Sequence, residues 1–213
     1  MYLAPVIDRI LESKKSKLIG RSSYFYITSL LNRAFSKVEP FKFRYETYND
    51  YGREDFSVSG LFDMETCTRN IILNFPKSCK YFKMDNARWN EFKFAVSQVC
   101  QHEAIHKDQW MHRTYVSTEY EEPDFRDLVT NVGEDKEYLS DIDEIDAYGH
   151  DIAMEIRYSY PKKDPYEILR TIGSRKKIWS YSYYKKTFKG DDWDHIKKRL
   201  LKKTFLWLPH VKI

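Results

Sequence analysis

Cysteine is scarce: Cys67, Cys79 and Cys100 are the only three in 213 residues, and no two form a close CxxC pair. That pattern argues against a disulfide framework and against a cysteine-based zinc site, and it fits a reducing compartment. Glycine and proline are also few, at 7 each, which excludes a collagen-like or low-complexity chain. No apolar run approaches the ~18 residues that a spanning helix needs. The opening MYLAPVIDRILESKKSK lacks a basic leader followed by an apolar core, so the expectation is an unsecreted, cytoplasmic protein with no membrane partner. What the chain has in quantity is aromatic side chains, 17 Tyr and 13 Phe, within a 42% hydrophobic composition. That is enough apolar surface for one good-sized core.

The net charge of +4 conceals an asymmetry. Residues 161–213 hold 15 Lys/Arg against 5 Asp/Glu, whereas residues 119–155 carry 14 acidic side chains and two basic ones, Arg126 and Lys136. The expected organisation is therefore a domain over residues 1–160, with residues 161–213 as a basic helical extension packed on it. Within the extension, KKRLLKKTFLWL (197–208) mixes basic pairs with Leu200, Leu201, Phe205 and Trp207. One reading is an amphipathic helix docked on the body with its lysines in solvent; the other is a surface for an acidic partner or nucleic acid.

Periodicity predicts an α+β fold. Helices are expected from Pro5 to about Lys17 and, capped by Ser22 or Ser23, through YFYITSLLNRAFSKV, where apolar residues recur at helical intervals. Three strand-like runs follow, Phe41–Tyr48, Phe56–Phe62 and Thr68–Phe75, for which a small antiparallel meander is the simplest arrangement. From about Asn86 the period becomes helical, with Phe92, Ala95, Val99, His102, His106 and Gln109 in one stripe. After an irregular acidic stretch (119–140), a helix is expected from Ser140 to Arg157, closed by Pro161, and then short helices over 164–172, 174–188 and 191–206.

Residues 102–106 read His-Glu-Ala-Ile-His, an HExxH match inside the predicted helix. Four residues are about one helical turn, so both imidazoles leave one face and can chelate a single zinc, while Glu103 is placed to take a proton from water activated by the metal. The plainer alternative is a histidine pair capped by neighbouring carboxylates. A catalytic zinc needs a third protein ligand and an open fourth position. The best downstream candidate is Glu144, which shares a helical face with Ala147, Tyr148 and Asp151; Asp141, Asp143, Asp146 and His150 are rivals. Acidic residues in a first helical turn also complement the helix dipole without binding anything. For a donor to the oxyanion of acyl transfer, His150 ranks ahead of Tyr148, Tyr138 and His112. Asp151 or Asp108 could orient a ligand imidazole.

These residues resemble a family. A strand containing Ile71-Ile72-Leu73-Asn74, the HExxH helix and a helix bearing Glu144-Ile145-Asp146-Ala147 are similar to the compact gluzincin-type zinc metallopeptidases. Among them are short metallopeptidase-like proteins encoded by tailed bacteriophages. The likeness covers roughly residues 40–157. It implies His102, His106 and Glu144 as Zn2+ ligands and Glu103 as general base. It further implies Thr68–Phe75 as an edge strand that binds an extended peptide, and, for a phage-encoded chain, the host cytoplasm or virion as its place.

The expected function is zinc-dependent hydrolysis of peptide bonds, with a peptide or protein as substrate and Glu103 and His150 as catalytic groups. The rivals are a non-catalytic structural, virion or interaction protein that keeps the fold, and a basic nucleic-acid-binding module.

Overall fold

A computed structural model of the chain describes residues 3–37, 41–49, 56–115 and 134–211. The chain is α+β and divides into two compact units, Met1–Trp110 and Met111–Ile213. Most of the acidic stretch expected to be irregular (119–140) lies outside the described residues.

In the first unit, helix α1 (Ala4–Glu12) and the single turn α2 (Lys15–Leu18) replace the one helix expected over this segment. The N-terminus of α1 is capped from a distance: Gln101 Oε1 accepts from the backbone N–H groups of Leu3 (2.6 Å) and Ala4 (2.9 Å), donors that a helix start cannot satisfy internally. Strand β1 (Gly20–Ser22) pairs antiparallel with β5 (Phe82–Met84). Helix α3 (Tyr24–Phe35) begins at Ser23, whose hydroxyl accepts from Tyr26 N–H, as the sequence predicted.

The principal sheet has the order β2 (Phe41–Tyr48), β4 (Thr68–Pro76), β3 (Ser57–Asp63), with β2 parallel and β3 antiparallel to β4. It is therefore mixed, not an antiparallel meander, and the strand expected at an edge is the central one. The reason is visible in β4 itself. Ile71, Leu73 and Phe75 are buried on one face, Asn70, Ile72 and Asn74 are half-buried on the other, and no position of the strand is exposed, as suits a strand flanked on both sides. The outer edge of β2 is closed by Asn32, whose amide donates to Phe43 C=O and accepts from Phe43 N–H, both at 2.8 Å. Among the described residues, β3 is thus the edge strand without such a clamp.

Helix α4 (Asn86–Tyr115) packs beside the sheet through Trp89, Phe92, Val96, Cys100 and Ala104. Fully burying side chains of the size of Phe92 or Val96 contributes about 1.5–3 kcal/mol each, so this face of α4 anchors the helix. The stripe through Val99, His102 and His106 flanks the anchoring face instead of continuing it, which places the histidines beside the core.

The second unit is helical: α5 (Glu134–Ser140), α6 (Ile142–Ser159), α7 (Pro165–Arg170), a 3-10 turn (Ile172–Ser174), α8 (Trp179–Thr187) and α9 (Gly190–Trp207). Ser140 ends α5, and the cap of α6 is Asp141, which accepts from Asp143 N–H at 2.8 Å. Helix α9 lies along α6 with Ile196, Leu200 and Thr204 buried. The two helices come close at Gly149, where an added Cβ would lie 2.7 Å from Lys203 Cβ. The N-terminus of α8 is held by Glu155 of α6, whose buried carboxylate accepts from Ser180 N–H and from Ser180 Oγ (2.6 Å). No described helix is long and apolar enough to cross a membrane.

Candidate metal centre

The HExxH segment lies well inside α4. His102 is buried and His106 half-buried, with their rings edge to face and the two Nε2 atoms 3.1 Å apart. Two nitrogens bound tetrahedrally at the usual zinc distance of about 2.05 Å would be ~3.3 Å apart, so the pair already has chelating spacing. His106 Nδ1 is 3.1 Å from Gln109 Oε1. An amide oxygen there accepts, which keeps the proton on Nδ1 and turns the Nε2 lone pair towards His102.

Glu103 lies on the sheet side of the helix and is only 5% exposed. A Cβ added to Gly60 of β3 would fall 2.4 Å from Glu103 Oε1, 2.6 Å from its Cγ and 2.7 Å from Val99 Cγ1. The lack of a side chain at Gly60 is therefore what lets the backbone of the edge strand reach this carboxylate, a use of glycine seen wherever another group must come close. Nothing in the HExxH pattern marks Gly60. The FSVSGLF alternation is the only sequence signal, because it puts a bare position inside a strand. Arg69 of β4 is also buried and was not singled out by sequence reasoning; its guanidinium lies 4.2 Å from the centre of the Phe41 ring. Burial drives the Cys100 thiol well above its usual range, with Arg69 opposing and Glu103 reinforcing the shift. A thiol so protonated and enclosed is no nucleophile.

On α6 the rival carboxylates have their own partners. Asp141 caps the helix, Asp143 pairs with Arg113, and Asp146 accepts from Lys203 Nζ (3.3 Å) and Trp207 Nε1 (3.1 Å). His150 is fully buried, edge-on to Trp207 at 5.2 Å, with Nδ1 3.3 Å from Asp151 Oδ1. Six residues beyond Glu144, it leaves the helix about 120° away from that side chain, so the structure does not bring the expected oxyanion donor to the ligand face. Glu144 itself is buried, at 8% exposure. Its face carries Tyr148, whose phenol is pushed upward by burial first and then by Asp151 and Glu144. Tyr184, fully buried beside the same acids, is raised for the same reasons. Both phenols therefore keep their protons at any physiological pH. Tyr138 and His112, the other candidate donors, are exposed, as is Asp108.

His102, His106 and Glu144 each offer one ligand atom of a kind that zinc takes; the two histidines belong to the first unit and Glu144 to the second. Two imidazoles and one carboxylate are a donor set that suits zinc and leaves a fourth position open. Compared with models of protein families, with curated proteins and with solved structures, the chain matches none of them.

Proposed function

We propose that the chain is a zinc-dependent peptide hydrolase of HExxH type, similar to the compact gluzincin-type metallopeptidases, with His102, His106 and Glu144 as the residues that would hold the metal. The observation that carries this reading is the pair of Nε2 atoms of His102 and His106, 3.1 Å apart on one face of α4, together with the buried Glu103 next to one of these histidines. When bound, zinc would supply Lewis acidity towards water and a substrate carbonyl.

The remaining chemistry belongs to the chain. Glu103 would accept a proton from the attacking water at a carboxylate oxygen and pass it to the departing amine nitrogen. Tyr148, which retains its proton, replaces His150 as the proposed donor to the oxygen that gains charge. Gln109 holds His106 in the tautomer that leaves Nε2 as the ligating atom. The peptide would add as an extended strand along β3, because Asn32 clamps β2 and β4 is paired on both sides. Gly60 would bring that strand to Glu103.

The test is peptide-library cleavage by the wild type and Glu103→Gln at matched zinc content. The amide preserves size and ligation but cannot accept the proton, so hydrolysis should fall by roughly two orders of magnitude or more. Equal cleavage by both proteins would refute Glu103 as base. Absence of transition metal from freshly purified protein, with no uptake on reloading, would refute the metal centre.

A further inference from the structure

A stretch of unopposed positive charge lies around α8. Residues 168–190 contain 7 Lys/Arg and no Asp/Glu. One face of α8 is buried through Tyr181 and Tyr184, while the opposite face shows Trp179, Ser182, Tyr183 and Lys186 at i, i+3, i+4 and i+7. Trp179 is 65% exposed, an unusual position for the largest apolar side chain. Its ring lies nearly parallel to that of Tyr183, with an interplanar angle of 15° and centroids 5.4 Å apart. Lys176 and Lys177 are exposed at the entry to the helix, and Lys185 and Lys186 at its exit. The next residue after Trp179, Ser180, is fastened to Glu155 through both its N–H and its hydroxyl, so the helix start that carries the indole is anchored.

We infer that the exposed face of α8 binds single-stranded nucleic acid, with Trp179 stacked on Tyr183 as a platform for a base and the flanking lysines engaging phosphates. A flat aromatic pair between cationic groups is the arrangement that tracks a single strand, because every base has a face to stack and every nucleotide a phosphate to neutralise. An acidic peptide would satisfy the lysines but leave the indole face without a stacking partner. A membrane surface would favour an apolar helix face, whereas Ser182 and Lys186 share the face with Trp179. One acidic side chain, Asp135, acts on Tyr183 electrostatically, and the four exposed lysines outnumber it. The inference is independent of the metal centre.

The full chain would be titrated with a labelled oligothymidylate, read by fluorescence anisotropy at several salt concentrations. Trp179→Ala should weaken binding roughly five- to hundredfold, and Trp179→Phe should retain part of the affinity. Replacing Lys176 and Lys177 with Gln should reduce the slope of log affinity against log salt by about 0.7 for each phosphate that is no longer neutralised. Because Trp179 is exposed, far-UV circular dichroism and the melting temperature should stay at wild-type values. Three results would each overturn the proposal: no binding at low salt, binding that ignores Trp179→Ala while following the lysines, or polyglutamate or phosphatidylserine vesicles binding with the same dependence on Trp179. The last would assign the face to an acidic protein or a lipid surface instead.

Discussion

Replacing Gly60 with alanine tests the junction between the edge strand and the HExxH helix. The new methyl carbon would lie 2.4 Å from Glu103 Oε1, 2.6 Å from Glu103 Cγ and 2.7 Å from Val99 Cγ1. Unstrained contacts between carbon atoms are about 3.5–4.0 Å, so roughly 1 Å must be recovered by moving the strand, the helix or the Glu103 side chain. Glu103 is buried and has little room to swing, and Cγ and Val99 Cγ1 sit too near their backbones to rotate clear. Overpacking of this kind costs about 1–3 kcal/mol, offset by about 0.4–1 kcal/mol from the stiffer unfolded chain. A net loss of about 1–2 kcal/mol is expected, measurable as a lower urea midpoint with unchanged m-value. Glu103→Ala removes two of the three close atoms, so Gly60→Ala should be milder in that background, with a coupling energy of about 1 kcal/mol. Under the proposed mechanism, a displacement of about 1 Å at the base should also cut peptide hydrolysis by about a hundredfold. If Gly60→Ala is as stable as the wild type, or costs the same with and without the Glu103 side chain, the close approach described here is refuted.

Glu144→Ala should weaken zinc affinity far more than Asp141→Ala, Asp143→Ala or Asp146→Ala, measured by competition with a chromophoric chelator; equal losses in all four would disprove its assignment as third ligand. At Gly149 the wall is α9 backbone as well as Lys203 Cβ, so Gly149→Ala should destabilise the chain by about 1–3 kcal/mol in urea, and a neutral result would contradict the close α6–α9 crossing. Asp63, which accepts from Thr66 Oγ1 and from the Thr66 and Glu65 N–H groups, has a depressed pKa, mainly through its bond to the Thr66 hydroxyl. Its contribution to stability is complete above the unfolded value near pH ~4 and is lost as pH falls through the lower folded value. Asp63→Asn should therefore narrow the difference in stability between neutral and strongly acidic pH, and an unchanged difference would rule the turn out as its source. Cys67, next in that turn, has φ of 51°, a region that costs a residue with a Cβ roughly 1 kcal/mol. Cys67→Gly should leave stability unchanged or raise it, and a clear loss would show that the side chain matters more than the backbone.

Sequence and tertiary structure decided different things here, according to the range over which each force acts. The helical run through HExxH is legible because a turn of about 3.6 residues is local: once 86–115 is helical, His102 and His106 must share a face whatever surrounds them. The caps at Ser23 and Asp141 and the helical character of 142–159 follow from equally short-range chemistry, although the cap of α6 fell one residue beyond the Ser140 that the pattern favoured. Strand order is not local. A meander would put Phe56–Phe62 between Phe41–Tyr48 and Thr68–Phe75, yet β4 became the centre of the sheet, where none of its positions is exposed. Placing His150 was equally non-local. Its position on an acidic helix invited a catalytic role, whereas the fold buries it fully, edge-on to Trp207, 57 positions later. Asp143 and Asp146 have partners in Arg113, Lys203 and Trp207, which lie far along the chain, so the helical pattern alone could not show them. The approach of β3 to Glu103 is a matter of tertiary structure alone, since a missing Cβ becomes visible only when another chain segment occupies the space it leaves.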